Sequence, residues 1–206
     1  MKIESYVLPI GYFPPLDFWS LIISDKNILL DLDSNYQKRS ILNRMFISTS
    51  SGPLMLSIPL AKGKNEAQNV MDLKISYDQN WQKLHLNAFE SNYGKSAFYD
   101  CIKDDLINFY SNQPSLLIDW NCGLINLIAE WLSIDFEMKF TEGYKLPQYN
   151  YIDFDKNVKA DLKINYPSNY NGSSMNFNQL SVLDLVCKLG RESIQVLKPL
   201  SLSYLG

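Results

Sequence analysis

Between Leu32 and Met45 the chain carries a polar run whose residue types could do chemistry: Asn35, Tyr36, Gln37, Lys38, Arg39, Asn43 and Arg44. Arginine offers a phosphate or carboxylate a two-pronged hydrogen-bond fork, and lysine a compact point charge. Gln37 and Asn43 could orient a polar substrate through their amides. By residue type alone the run also reads as a solvated loop with ordinary surface charges. The only histidine, His85, lies four residues from both Trp81 and Phe89, so a helix would put all three on one stripe. Imidazole suits general acid–base work near neutral pH. On spacing alone, His85 reads rather as a buried, satisfied histidine where a helix meets a sheet. Tyr93-Gly94-Lys95-Ser96 sets a Lys-Ser pair after a glycine. Phe89 stands where a phosphate loop needs its first glycine, so the segment reads as a turn between helices with Ser96 capping the second.

Other chemistries find little support. Cys101, Cys122 and Cys187 are far apart and lack a sequence-adjacent base, so reduced, mostly buried thiols are expected. One histidine and scattered carboxylates (Asp31, Asp33, Asp119, Asp161) give no metal-ligand spacing, and no metal site is predicted. The sequence points to no particular cofactor. A formal net charge of -3 over 206 residues lacks the basic excess of a nucleic-acid binder. The opening MKIESYVLPIGYFPP has no signal-peptide pattern, and no stretch approaches the ~20 apolar residues that span a bilayer. A cytoplasmic chain with no nucleic-acid partner and no membrane span is the expectation.

The elements that would position these residues follow from periodicity. Ile3–Leu8 reads as a strand, Pro14-Pro15 opens a short helix that Asn27 could end, and Ile28–Leu32 is a buried strand. Together they have the length of a βαβ unit. Arg44–Ser48 and Leu54–Leu60 form a hairpin around Ser50-Ser51-Gly52-Pro53, with a turn longer than the tightest type. Lys62–Gln68 is a polar, mobile loop, and Leu73–Tyr77 a further strand. Helices are predicted from Trp81 to Asn92 with Asn80 as cap, from Ser96 to Tyr110, from Ser115 to Ser133 and from Asn178 to Lys188, the last ended by Gly190. Phe136–Phe140 reads as a strand and Ser193–Leu197 as a short closing helical turn or strand. The tyrosine-rich stretch from Gly143 to Asn176 reads as an ordered, substrate-facing loop. The fold class is α/β: a mixed sheet with a βαβ start, an added hairpin and several covering helices, in a single domain over 1–206. An α+β arrangement is the alternative.

Several stretches, in order, resemble the WbqC-like protein family: Leu8-Pro9-Ile10-Gly11-Tyr12-Phe13, Asn35-Tyr-Gln-Lys-Arg-Ser-Ile-Leu-Asn-Arg44, Leu56-Ser57-Ile58-Pro59, Trp81-Gln-Lys-Leu-His85, Asn92-Tyr-Gly-Lys-Ser96 and Phe177-Asn-Gln-Leu-Ser-Val-Leu-Asp-Leu185. No single motif is specific; the ordered set is. Ile10 departs from the family's usual first turn, and Lys145–Asn176 matches poorly. The resemblance implies a role in bacterial surface-polysaccharide (O-antigen) biosynthesis, with glycyl or acyl transfer to an amino sugar as the suggested reaction. A non-catalytic module binding a sugar nucleotide or a polysaccharide-assembly enzyme is the alternative. It also implies a small-molecule or sugar-nucleotide substrate held by Tyr12, Tyr36, Gln37, Lys38, Asn43 and Tyr93. His85 would act as base, and Arg44 or Lys95 would stabilise developing charge. The cluster is then expected to form one wall of a pocket and the His85 helix the other.

Overall fold

A computed structural model describes residues 5–24, 27–63, 65–143, 149–154 and 180–203. Strand β1 (Ser5–Pro9) leads into helix α1 (Leu16–Ile23), whose apolar residues Leu16, Phe18, Trp19, Leu21 and Ile22 are all buried. Strand β2 (Ile28–Asp31) follows and pairs in parallel with β1, Leu8 lying opposite Leu30. Parallel neighbours need a crossover, and α1 supplies it. The helix stops at Ile23 with Ser24 as its C-cap, short of Asn27. On the other side of β1 lies β5 (Tyr149–Tyr151), also parallel, giving the order β2-β1-β5. This three-residue strand stands inside the stretch expected as loop. Side-by-side backbone pairing with a buried neighbour, rather than apolar pattern, makes it a strand. Residues 155–179, which hold most of that loop, lie outside the described residues.

The hairpin of β3 (Arg44–Thr49) and β4 (Gly52–Ser57) is antiparallel, with Thr49 opposite Gly52. Only Ser50 and Ser51 connect them, so the turn is tighter than the sequence suggested. Past the last pair, the Ile58 N–H still donates to the Asn43 carbonyl at 2.8 Å, which carries the contact one residue further. Leu180–Ser181 ties hairpin to crossover, since the Ser181 N–H donates to the Phe46 carbonyl and the Leu16 N–H to the Leu180 carbonyl. The expected strands at Leu73–Tyr77 and Phe136–Phe140 reduce to isolated bridges: Lys74 with Leu116, Ile75 with Leu60, and Phe140 with Leu30. Each finds one partner and no continuing edge.

Helices α2 (Trp81–Tyr93), α3 (Tyr99–Tyr110) and α4 (Leu117–Leu132) carry the central aromatic core. The Lys83 N–H donates to the Asn80 side chain, capping α2 as its sequence implied. Ser96 does not cap α3; Phe98 holds that place without a side-chain bond. Helix α4 buries Leu117, Trp120, Asn121, Leu124, Ile125, Ile128 and Leu132 on one face, the three-and-four spacing of an amphipathic helix. Trp120 meets Phe109, Trp81 and Tyr110 edge-on, with ring centroids 4.8, 5.0 and 5.3 Å away. Edge-to-face contact suits the aromatic quadrupole.

Helix α5 (Val182–Leu189) is capped by Ser181 and ends at Gly190; α6 (Ser193–Ser203) continues well beyond the short turn expected and packs on α1. Gly190 has φ +53°, and a Cβ there would stand 2.7 Å from the Phe98 ring. Gly190→Ala is therefore expected to lower stability by roughly 1–3 kcal/mol, the range for a side chain forced into sparsely populated backbone geometry. Urea denaturation of the variant against wild type checks this. Cys187 is buried and Cys122 half-buried, while Cys101 is exposed because its side of α3 faces solvent. Among the described residues, no helix is long and apolar enough to cross a membrane.

Candidate functional site

The segment from Asp31 to Arg44 leaves the carboxyl end of β2 and crosses to β3. Backbone bonds hold it in place. The Tyr36 N–H donates to the Gln68 carbonyl at 2.8 Å, and the Val70 N–H to the Ser34 carbonyl at 3.1 Å. The stretch expected to be mobile, Lys62–Gln68, thus contributes to a short ladder against residues 34–36. At the far end the Tyr12 N–H donates to the Ile41 carbonyl at 2.9 Å. That approach needs Gly11, since a Cβ there would lie 2.9 Å from the Ile41 side chain and 3.3 Å from its carbonyl oxygen. From α4, the buried Asn121 amide donates to the carbonyls of Ile10 and Leu42, both at 2.8 Å. Asn43 and Arg44 therefore emerge from a backbone anchored on three sides.

Around that anchor lies an open cleft of about 680 Å³. Tyr36, Lys38, Asn43 and Arg44 form one side, and Ser57, Ile58, Pro59, Asn65 and Glu66 the other. The Tyr36 hydroxyl donates to the Asn43 side-chain oxygen at 3.2 Å, and the Asn43 amide donates to the Ile58 carbonyl at 2.9 Å. Burial raises the Tyr36 pKa, while the nearby Arg44 and Lys38 charges pull it the other way. Arg44 begins β3 opposite Ser57. Its Nε is enclosed and has no hydrogen-bond partner among the described residues. Lys38 pairs with Glu66 at 2.7 Å, both side chains well exposed, and its hydrogen bond to Glu66 raises its pKa. An exposed pair of this kind is held weakly and can exchange for a bound anion.

His85 sits one layer behind the cleft. It is 4% exposed and enclosed by aromatic rings, with the Trp81 and Tyr12 centroids at 5.2 and 5.7 Å. Its Nδ1 is 2.6 Å from the Tyr12 hydroxyl, which also meets the Tyr110 hydroxyl. The ring makes a further hydrogen bond to the backbone of Ser57, a residue of the cleft wall. That bond favours the protonated ring, so the imidazole donates to the Ser57 carbonyl and Nδ1 accepts from Tyr12. Burial drives the His85 pKa down from 6.5 to about 4, with the Ser57 bond opposing in lesser degree. Both ring nitrogens are occupied by protein groups.

The remaining candidates lie apart. Gln37 lines a neighbouring hollow that shares Tyr36, Lys38 and Glu66 with the cleft. Tyr12 is fully buried in the His85 chain of hydroxyls. Tyr93 is also fully buried; its hydroxyl accepts the Ser48 N–H at 3.1 Å and bonds to Asp184, joining β3 to α5. Lys95 is exposed in the turn after α2 and belongs to neither lining. Arg39 is exposed at φ +68°, where the chain reverses. The opposite wall is thus the 57–66 segment, with the His85 helix buttressing it from behind. Sequence reasoning missed Ser57 and Pro59, which read only as residues of the hairpin's second strand, and Asn65 and Glu66, because a polar stretch after a strand carries no signal of what it will face. Among the described residues, no group of three or more histidine, cysteine or carboxylate side chains could hold a metal ion.

The sequence profile of the WbqC-like protein family matches residues 11–167. The uncharacterized protein Rv1507c of Mycobacterium tuberculosis is 28% identical over 137 residues, which cover 66% of this chain and 59% of that protein. The chain therefore spans less than two thirds of that relative's length. No solved structure matches the chain.

Proposed function

Because the chain belongs to the WbqC-like protein family, we propose that it is a cytoplasmic transferase of bacterial surface-polysaccharide (O-antigen) biosynthesis, passing a glycyl or other acyl group to an amino sugar. The observation that carries this reading is the enclosed, unpartnered Arg44 Nε at the side of a cleft that also holds Lys38 and Asn43. An activated acyl donor, such as an acyl phosphate or acyl adenylate, would place its phosphate against Arg44 and Lys38. The sugar amine attacks the acyl carbon, forming a C–N bond. The C–O bond to phosphate breaks, and the amine proton leaves with the phosphate group or to solvent. Arg44 meets charge that grows on the departing phosphate, which is where preorganised donors contribute most. His85 acts through Ser57, as a positioning residue that steadies the cleft wall.

The enclosure of His85 favours one other reading, a non-catalytic module that binds a sugar nucleotide for a polysaccharide-assembly enzyme. Mass spectrometry separates the two. The full chain is incubated with glycyl adenylate and a nucleotide-linked amino sugar. An amide product that grows with enzyme concentration, and is lost in Arg44→Ala, supports the transferase. Ligand-induced thermal stabilisation without product supports the binding module. Neither product nor stabilisation sinks both readings.

A further inference from the structure

In an antiparallel hairpin, opposed residues alternate between exchanging backbone hydrogen bonds and turning their N–H and C=O groups outward. The Ile58 N–H donates to the Asn43 carbonyl, so that pair faces inward. Along the register, Arg44–Ser57, Phe46–Met55 and Ser48–Pro53 are then the pairs that turn outward. On the outer side of β3 those groups are used: the Phe46 carbonyl accepts the Ser181 N–H, and the Ser48 N–H donates to the Tyr93 hydroxyl. Pro53, which has no N–H to give, sits where β3 asks for none.

The outer side of β4 is different. It presents the Pro53 carbonyl, the Met55 N–H and carbonyl, and the Ser57 N–H, none of them with a partner among the described residues. The Ser57 carbonyl is already held by His85. Pro53 and Ser57 are exposed, as are the large side chains Leu54 and Met55, at 39% and 44%. Free strand edges are commonly blunted by charge, yet Gly-Pro-Leu-Met-Leu-Ser carries none.

This edge is complementary to itself. Two copies of β4, running antiparallel about a twofold axis at Met55, exchange two hydrogen bonds between their Met55 residues. Two positions along, each Ser57 N–H meets the other copy's Pro53 carbonyl. The donor that Pro53 lacks falls opposite the Ser57 carbonyl that His85 occupies. An unrelated strand would bring an N–H there to compete with His85. Leu54 falls opposite the other copy's Leu56, and Met55 opposite Met55, both apolar cross-strand pairs with no like charges opposed. We infer that the protein forms a twofold dimer by joining its β4 strands into one four-stranded antiparallel sheet, an isologous contact. Ser57 also lines the Arg44 cleft, so each copy's Pro53 stands at the rim of the other's cleft.

Sedimentation equilibrium of the full chain is expected to show a monomer–dimer equilibrium. Met55→Pro leaves the β3–β4 ladder whole, because the Met55 N–H points away from β3, but it removes both central donors. It should weaken association about 10- to 100-fold, the loss of two hydrogen bonds. Met55→Glu and Met55→Lys each oppose like charges at the axis, so each alone is expected to be monomeric and the two to pair when mixed. Met55 is exposed, so these variants keep the fold, which circular dichroism checks. Recovery on mixing requires the axis to pass through Met55. A wild type that stays monomeric overturns the inference and leaves the edge to an extended segment of another protein. A dimer that Met55→Pro leaves unchanged overturns it too, as do Glu and Lys variants that stay apart when mixed.

Discussion

Arg44→Ala weakens binding of inorganic pyrophosphate by about 10- to 100-fold, while Lys38→Ala weakens it much less. Hydrogen bonds to charged groups contribute roughly 1.5–3 kcal/mol, and each ~1.4 kcal/mol is a factor of ten in affinity. Arg44 commands the upper part of that range for two reasons. Its guanidinium starts from the first residue of β3, on backbone held by Asn121, Tyr12 and Ile58, so little freedom remains to be lost on binding. Its Nε is already enclosed and unpartnered among the described residues, so an incoming oxyanion accepts from a donor that is already desolvated rather than from a hydrated one. Lys38 starts from an exposed position paired with Glu66, and must give up that pair to help. Calorimetry of the two variants measures the difference. Equal losses at the two positions would mean that the cleft attracts anions by diffuse charge alone.

The second large effect concerns pH. Native stability is expected to fall by about 3 kcal/mol between pH 6.5 and pH 4 through His85 alone. The folded ring has its pKa pushed from 6.5 down to about 4, and each pH unit of depression corresponds to ~1.4 kcal/mol. In this window the unfolded chain binds a proton that the folded chain refuses, so stability rises with pH. The contribution is fully present above pH 6.5, declines as pH falls, and is exhausted below about 4. His85 is the only histidine in the chain, so no other imidazole shares the effect. Carboxylates also titrate there, but they cancel when wild type is compared with a non-titrating variant. His85→Gln is expected to be less stable at pH 7, having lost the Tyr12 and Ser57 bonds, yet to show a flatter profile from pH 6.5 to 4. Urea unfolding at a series of pH values measures both curves. Parallel curves would show that His85 titrates normally and is not sealed in.

Much of this architecture was legible in the residues. The β1-α1-β2 crossover, the β3-β4 hairpin and the long helices announce themselves by hydrophobic period, since each buries one face against a single core. His85 was legible in its burial: four-residue spacing from Trp81 and Phe89 placed it on an aromatic stripe, and the bland reading of a satisfied histidine matches its two occupied nitrogens. Half of the cleft was legible as well, because Tyr36, Lys38, Asn43 and Arg44 lie within nine consecutive residues.

The other half was not. Short elements such as β5 hold their form through a neighbour's backbone, and Tyr149-Asn150-Tyr151 has no period of its own. Ser57 faces Arg44 across the hairpin, but Asn65 and Glu66 are polar, like any surface loop, and join the wall because residues 34–36 and 67–70 pair across the fold. By itself, the sequence determined which side chains could grip an anion and which helices would be buried, since those depend on residue type and spacing. Only the tertiary structure decided that Asn65 and Glu66 complete the cleft of Arg44 and Lys38 while His85 stands behind its wall and Lys95 outside it. Those relations depend on long-range backbone hydrogen bonds, which every residue but proline can donate and which residue type therefore does not foretell.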